Sequence, residues 1–179
     1  MLRQMISFTL KTNVQKLSMK DILIRKMGII FKTLIILFFS ISITNAELLK
    51  PNSNIKPSKV VKIQLDGLQK NDLNYKDSGI EQTWNFAHPS NKQSTGPLPN
   101  FKMMIKGNSY QMLLNHLSHT ITKVGGGDKW AQFEVIILDK DKIYHKFNWQ
   151  VEKYTADGPL KDCWLTTMVS SPIALGSSI

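Results

Sequence analysis

The sequence predicts an α+β domain in which three N-terminal helical units pack on a curved, mainly antiparallel sheet of about four strands. Three observations predict it. The 179 residues, 42% of them hydrophobic, suffice for one ordinary core. The spacing of apolar residues changes from about 3.6 residues to two after His119. The single cysteine excludes a disulfide scaffold, and Cys163 beside Trp164 is expected to be a buried small hydrophobe.

Residues 1–46 are predicted to be a targeting leader with a signal-peptide core at 27–46. Lys32 precedes a mostly apolar stretch, and Thr44 and Ala46 provide small residues at cleavage spacing. We therefore predict cleavage between Ala46 and Glu47 and export to a periplasm, the outside of a cell or an organelle lumen. Membrane anchoring by an uncleaved signal is the alternative, and Met27 is an alternative start.

The remaining chain is predicted to comprise a tether at 47–56, one domain at 57–171 and a C-terminal tail at 172–179. Pro57 suits the start of a first helix, whose stripe includes Val61, Leu65 and Leu68. Gly67 is unfavourable inside a helix, which indicates close packing against another element.

Two further helical units follow in the predicted order. Ser78 and Glu81 have capping-box spacing, and Pro89 ends this second helix by His88. Residues 89–99 are predicted to form an irregular, functional loop. The third unit joins a short apolar turn at residues 101–105 to a Ser109-capped helix that extends to Leu117.

The second half of the domain alternates between apolar and polar residues. Strands are predicted at 120–124, 129–138, 143–152 and 162–169, with turns at 125–128, 139–142 and 156–161. The third strand has the clearest pattern, since its odd-numbered residues are mostly apolar and its even-numbered residues are polar. Its packed face is expected to contain Ile143, His145, Phe147, Trp149 and Val151.

Short segments throughout the domain carry a family resemblance. They are VKIQLDGLQKND at 61–72, DSGI at 77–80, WNFAHP at 84–89, Asn91 and Lys92, TGPL at 95–98, FKMM at 101–104, Tyr110, residues 113–116 and DCW at 162–164. This order resembles a family of domains of unknown function within the nuclear-transport-factor-two-like, or cystatin-like cone, superfamily. The resemblance covers residues 57–171 and implies a cone with a concave pocket. It implies no particular catalytic residues, because the superfamily includes isomerases, dehydratases, ligand binders and association domains.

The distribution of charge argues against a nucleic-acid partner. Residues 1–46 hold seven basic groups and one acid, whereas residues 47–179 hold sixteen lysines, twelve acids and no arginine. Arginine is the residue best suited to bidentate phosphate and base contacts. We also predict no cofactor and no metal, because His116 and His119 lack an evident third ligand, although Asp128 could approach them.

The leading functional hypothesis is a small-ligand pocket in the mouth of the cone. Aromatic side chains with a few polar groups are typical of such sites. His145 interrupts an apolar strand face and could act as an acid or base if a carboxylate oriented it, or it could simply bond to backbone or water. The candidate pocket residues are Trp84, Phe86, His88, Tyr110, His116, His145 and Trp149.

Two alternatives remain open at this point. The first is a noncatalytic interaction module that forms a homodimer through the polar face of the sheet, including Tyr144, Asn148, Gln150 and Tyr154. The second is an isomerase- or dehydratase-like enzyme that uses a pocket His or Asp.

Overall fold

Helices come first and strands second in the computed structural model, which describes residues 19–20, 23–27 and 47–177. The chain divides into two units at residues 44 and 45. In the first unit, residues 19–20 and 23–27 are helical and exposed. Except for Met27, the predicted signal core and Ala46 lie outside the described residues. Among the described residues, no helix is long and apolar enough to cross a membrane.

The second unit is α+β, as predicted. Its helices are α1 (Pro57–Gln69), α2 (Ser78–Asn85), α3 (Pro89–Thr95) and α4 (Leu98–Lys106), with a 3₁₀ turn at Gln111–Leu113. Its strands are β1 (Ser118–Gly126), β2 (Trp130–Leu138), β3 (Ile143–Lys153), β4 (Trp164–Val169) and β5 (Ile173–Ser177).

All strand pairs in the sheet are antiparallel, and β3 is its organising strand. The order is β1-β2-β3-β4, and β5 also pairs with β3. The two final strands share one edge of β3, since β4 pairs with residues 149–153 and β5 with residues 143–146. Register shifts interrupt both of these pairings and the β1–β2 pairing. Such bulges bend and twist a sheet locally.

The hydrophobic core lies between the helices and one sheet face, as the strand alternation predicts. Phe133 and Val135 of β2, with Phe147 and Trp149 of β3, are at most 1% exposed. The predicted stripe of α1 is buried against them, since Val61, Leu65 and Leu68 have no exposed surface. Burying whole apolar side chains contributes roughly 1.5–3 kcal/mol each to folding, so this layer is the main source of stability.

Three predictions for the helical part of the domain are wrong. Residues 89–95 form α3 rather than a loop, with Pro89 at the first helical position. Ser109 does not begin a helix that reaches Leu117, because only a 3₁₀ turn forms and Leu117 is 52% exposed. The capping box is also absent, since Asp77 with φ of 67° precedes α2 and the Ser78 hydroxyl donates to the Asn71 carbonyl instead.

The predicted tail and tether both have more structure than expected. Residues 173–177 form β5, an exposed strand on the edge of the sheet. Residues 47–50 are irregular, but the Gln82 amide holds them on α2 by accepting from the Leu49 backbone N–H at 2.8 Å and donating to its carbonyl at 2.9 Å.

Candidate functional site

A cavity of about 120 Å³ lies between the helical layer and the packed face of the sheet. Helices α1 to α4, the 3₁₀ turn and strands β3 and β4 all contribute to its wall. The apolar lining residues are Leu68, Ala87, Phe101, Met104, Ile105, Leu113, Trp149 and Val169, and the polar ones are Gln64, Thr83, Asn91, Thr95, Tyr110 and Thr166.

A neutral hydrogen-bond network centred on Gln64 forms one side of this cavity. The Gln64 side-chain oxygen accepts from the Trp149 indole N–H at 3.1 Å and from the Thr166 hydroxyl at 2.6 Å. Its side-chain nitrogen donates to the Thr83 carbonyl at 3.0 Å. Gln64 is 1% exposed, so these bonds offset the cost of burying an amide among apolar groups.

Asn91 and Thr95 of α3, with Tyr110, supply further polar groups. The Asn91 side-chain nitrogen is 3.4 Å from the Thr166 carbonyl, and the Tyr110 hydroxyl is 3.3 Å from the Val169 carbonyl. Within residues 47–177, the side-chain oxygen of Asn91 accepts no hydrogen bond from the protein. Because Asn91 lines the cavity, this oxygen is a candidate acceptor for a donor group on a bound molecule.

The cavity lining carries no charged side chain among the described residues. It contains no carboxylate, imidazole or ammonium group, and its neutral polar groups are mostly bonded to one another. The lining therefore favours an uncharged occupant, because an ion placed there would lose its hydration without gaining a counter-charge. The isomerase or dehydratase alternative requires a His or Asp in the pocket, and the lining of this cavity contains neither.

Two of the seven predicted pocket residues, Tyr110 and Trp149, line the cavity. Phe86 is instead fully buried in the core. Trp84 packs on Phe101, with ring centroids 5.0 Å apart, and the ammonium of Lys92 lies 5.4 Å from the Trp84 ring. Burial lowers the pKa of Lys92 from its ordinary value. Trp84 thus does not line the cavity itself but packs against Phe101, which does.

His88 caps α3 and does not line the cavity. Its Nδ1 lies 3.2 Å from the Ser90 backbone nitrogen and accepts from this N–H, which satisfies a free donor at the helix N-terminus. The ring also meets Tyr154 edge to face at a centroid distance of 5.4 Å. Burial lowers the pKa of His88, which favours the neutral form that can accept the capping bond.

His145 is oriented by a carboxylate, but as part of the β2–β3 hairpin rather than of the cavity. Its Nε2 is 2.8 Å from Asp139 Oδ2, while Asp139 Oδ1 accepts from the backbone N–H groups of Asp141 and Ile143. Burial alone would raise the pKa of Asp139, but the bonds from Ile143 and His145 outweigh it and the pKa lies below its ordinary value. The pair therefore stabilises a turn.

His116 is 2% exposed and lies beside His119. His116 Nδ1 is 2.8 Å from the Leu113 carbonyl, and His116 Nε2 is 2.8 Å from His119 Nδ1. On the other side, His119 Nε2 lies 3.5 Å from Asp66 Oδ1, so the carboxylate beside this pair is Asp66, whereas the sequence had suggested only that Asp128 could approach. Among the described residues, no group of three His, Cys, Asp or Glu side chains has the arrangement needed to hold a metal ion.

Five polar residues line the cavity without having been singled out from the sequence, namely Gln64, Thr83, Asn91, Thr95 and Thr166. Gln64 occurs at the i+4 position between Val60 and Leu68 on the apolar stripe of α1, and this interruption was an available signal. Thr166 occupies a buried strand position in the same way. Asn91 and Thr95 lie in the stretch at residues 89–99 that was predicted to be functional, but their side chains could not be singled out, because α3 buries none of its residues and has no apolar periodicity.

Comparisons with protein-family models, with curated proteins and with solved structures found no match to this chain. The case for a function consequently depends on the site itself.

Proposed function

We propose that this domain binds a small, uncharged and mostly apolar molecule in the cavity beside Trp149. The observation that carries the proposal is a void of about 120 Å³ lined by apolar side chains and neutral polar groups. An engineered apolar cavity of about 150 Å³ in another protein binds benzene, so a void of this size accommodates a single small ring.

The lining also indicates where a polar substituent on the ligand would lie. The side-chain oxygen of Asn91 and the hydroxyl oxygen of Thr95 are both on α3 and can each accept a hydrogen bond, although the Thr95 hydroxyl already donates its proton to the Asn91 carbonyl at 2.9 Å. On the Gln64 side, the side-chain oxygen already accepts two bonds within the protein. A ring with one hydroxyl or amine group directed towards α3 fits this asymmetry. Phenol should consequently bind more tightly than benzene.

The test is titration of the full-length chain with benzene and with phenol, followed by NMR. The Trp149 indole N–H is a reporter because it lies in the wall and donates to Gln64. We expect saturable shifts of this resonance with both probes. Met104→Trp should fill the cavity and abolish binding, whereas Met103→Trp is the matched control, since Met103 is 66% exposed on the same helix. Equal binding by both variants would rule out this cavity as the site.

The cone-like architecture is part of the same proposal. Helices followed by an antiparallel meander, with α1 packed on one sheet face and bulges in three strand pairings, support it. An experimental structure that showed a flat sheet would contradict it.

We also propose that the domain is exported. The support is the leader pattern described above, and the anchored form is the alternative. N-terminal sequencing of the protein from its own cells should begin at Glu47, and a start near residue 1 would contradict cleavage.

A second candidate function is homodimerisation through the outer sheet face. The observation that favours it is a group of exposed apolar side chains around the β3–β5 pairing. Tyr144 is 38% exposed, Ile173 is 51% exposed and Leu175 is 50% exposed. In this hypothesis, a second copy of the chain packs on these side chains.

A further inference from the structure

The turn between β1 and β2 exposes apolar side chains to solvent. Trp130 is 43% exposed and Val124 is 54% exposed. Three consecutive glycines lie between them, and the Trp130 indole lies against their backbone, since Cβ atoms at Gly125 and Gly127 would meet the ring at 3.5 and 3.2 Å. Because glycines have no side chains, this part of the turn leaves the indole accessible.

Lysine side chains lie beside the same turn. The Cε atom of Lys123 would be 3.0 Å from a Cβ atom at Gly126, so the aliphatic part of Lys123 follows the glycine backbone. Lys129 comes directly after the turn, and its carbonyl accepts from the Lys153 backbone N–H at 2.8 Å. Lys123 also lines a surface groove of about 330 Å³ between β1 and the first half of α1, whose other lining residues are Ser58, Lys59, Lys62, Ile121 and Phe133.

Three of these lysines have no partner within the part of the chain that the structure describes. The side chains of Lys59, Lys123 and Lys129 make no ion pair or hydrogen bond there. Lys62 is bound to Asp66 at 2.8 and 2.9 Å. The three unpaired ammonium groups can therefore bind negative groups outside the protein.

Acidic side chains near this turn balance only part of the positive charge. Asp66 is bound to Lys62, Asp128 follows the glycines, and Glu152 is paired with Trp130 across the strands. Five lysines and three acids give a local net charge of five minus three, or +2. The partner that complements this surface is consequently anionic.

Exposed indole beside unpaired lysines is a combination that suits an anionic lipid surface. Tryptophan is enriched at the headgroup level of membranes, where its ring is desolvated and its N–H stays hydrated. Each lysine near an anionic leaflet strengthens binding by about fivefold. A nucleic acid is the poorer match, because residues 47–179 contain no arginine for bidentate phosphate contacts.

We propose that the β1–β2 turn and the adjacent lysines of α1 bind the surface of a membrane rich in anionic lipids, with Trp130 at the level of the headgroups. The inference goes beyond the proposed function, since this surface shares no residue with the cavity lining. It also differs from the dimer face, because Tyr144 is paired with Leu138 at the opposite end of β2.

The experiment measures quenching of tryptophan fluorescence in the full-length chain by vesicles whose lipids are brominated close to the headgroup. One set contains phosphatidylserine and phosphatidylcholine in equal parts, and the other contains phosphatidylcholine alone. Residues 1–46 contain no tryptophan, so the signal reports on the domain. We expect strong quenching by the mixed vesicles and little by phosphatidylcholine alone.

Two single variants assign the quenched signal. Trp130→Phe should remove most of the quenching, because it removes the exposed indole at the turn. Trp84→Phe is the control and should keep the quenching, since Trp84 packs on Phe101 in the helical layer. Quenching that survives Trp130→Phe would overturn the placement of this surface at the membrane.

A pair of double variants tests the charge. Lys59→Gln/Lys123→Gln replaces two exposed, unpaired side chains, so the fold should be retained. The lipid concentration for half-maximal quenching should rise about 25-fold, which is about fivefold for each lysine. Lys76→Gln/Lys140→Gln is the matched control, because it makes the same change in net charge at exposed lysines outside the groove.

Each remaining outcome decides the proposal. Absence of quenching by the mixed vesicles, or equal quenching by both sets, would overturn it, as would equal effects of the two lysine pairs. Binding to heparin without quenching by vesicles would indicate a soluble acidic partner instead of a membrane. Phenol binding should be unchanged in Lys59→Gln/Lys123→Gln, so failure of the membrane surface and failure of the cavity are distinguishable.

Discussion

Gly79 of α2 packs directly on the backbone of Gly67 of α1, so closely that a Cβ atom at Gly79 would collide with the Gly67 carbonyl oxygen and with the Asn71 backbone. The obstacles are main-chain atoms, which cannot move as a flexible side chain can. We therefore expect Gly79→Ala to lower the free energy of unfolding by about 1–3 kcal/mol or more.

Urea denaturation checks this expectation, and Gly67→Ala is the matched control. A Cβ at Gly67 would meet its nearest neighbours at 3.3–3.4 Å, a tight distance that small shifts can relieve, and alanine also favours the helix. If the two substitutions cost the same free energy, the close crossing at Gly79 is not the cause.

Gln64 should be the most sensitive polar residue of the cavity. In Gln64→Leu, the Trp149 indole loses its closer acceptor and the Thr83 carbonyl loses a donor. Buried groups left without partners cost about 1–3 kcal/mol, and we expect a loss of that size in unfolding free energy. The exposed Gln111 provides the control, since Gln111→Leu should change stability by less than about 0.5 kcal/mol. A neutral effect of Gln64→Leu would contradict the network.

The buried histidines should make the domain less stable in mild acid. The pKa of His116 and that of His119 are lowered in the folded state, so the unfolded chain binds more protons below its own histidine pKa of about 6.5. The unfolding free energy should therefore be at its plateau above about pH 6.5 and fall as the pH decreases towards the folded-state values.

Urea denaturation at intervals from pH 7.5 to pH 5 measures this slope. His116→Gln should reduce it, because the more deeply buried ring no longer titrates. His119 and His88, whose pKa values burial also lowers, should leave a smaller residual slope. Identical slopes in the unmodified chain and in His116→Gln would show that this ring does not carry the effect.

Asp139 should stabilise the β2–β3 hairpin through two sets of hydrogen bonds, one to the backbone amides of Asp141 and Ile143 and one to the His145 ring. Asp139→Ala removes the acceptors for the Asp141 and Ile143 amides and for His145, so we expect a loss of about 1–3 kcal/mol in stability. Asp139→Asn keeps one oxygen for the amides and should cost less.

Thermal denaturation compares the stability of the two Asp139 variants, and Asp139→Ala should have the lower melting temperature. Since the pKa of Asp139 is lowered, its contribution is present above the unfolded-state pKa of about 3.9 and disappears as the pH falls through the folded-state value. An Asn variant as unstable as the Ala variant would show that the His145 bond, rather than the turn, dominates.

Tyr144→Glu tests the dimer hypothesis. A carboxylate on an apolar interface loses hydration without a partner, so the mass in sedimentation should fall from dimer to monomer. Met103→Glu, at a position that is 66% exposed on helix α4 and away from the sheet, is the control and should leave the mass unchanged. A mass that is equal in the unmodified chain and in Tyr144→Glu would exclude this face.

The elements that could be predicted from the sequence are those with a clear local period. Residues 130–138 and 143–153 alternate every second residue, and the structure buries the predicted side chains Phe133, Phe147 and Trp149. Helix α3 and strand β5 could not be found in this way. The former buries none of its residues and the latter is exposed along its length, so neither has an apolar period.

The sequence by itself determined the α+β class, the stripe of α1 and the packed face of the central hairpin, because each depends on residues a few positions apart. Only the tertiary structure decided the site. The Gln64 side chain meets Trp149 across 85 positions and Thr166 across 102. Periodicity shows which side of an element is buried but not which partner it meets there. The cavity and its neutral lining therefore depend on how the elements pack.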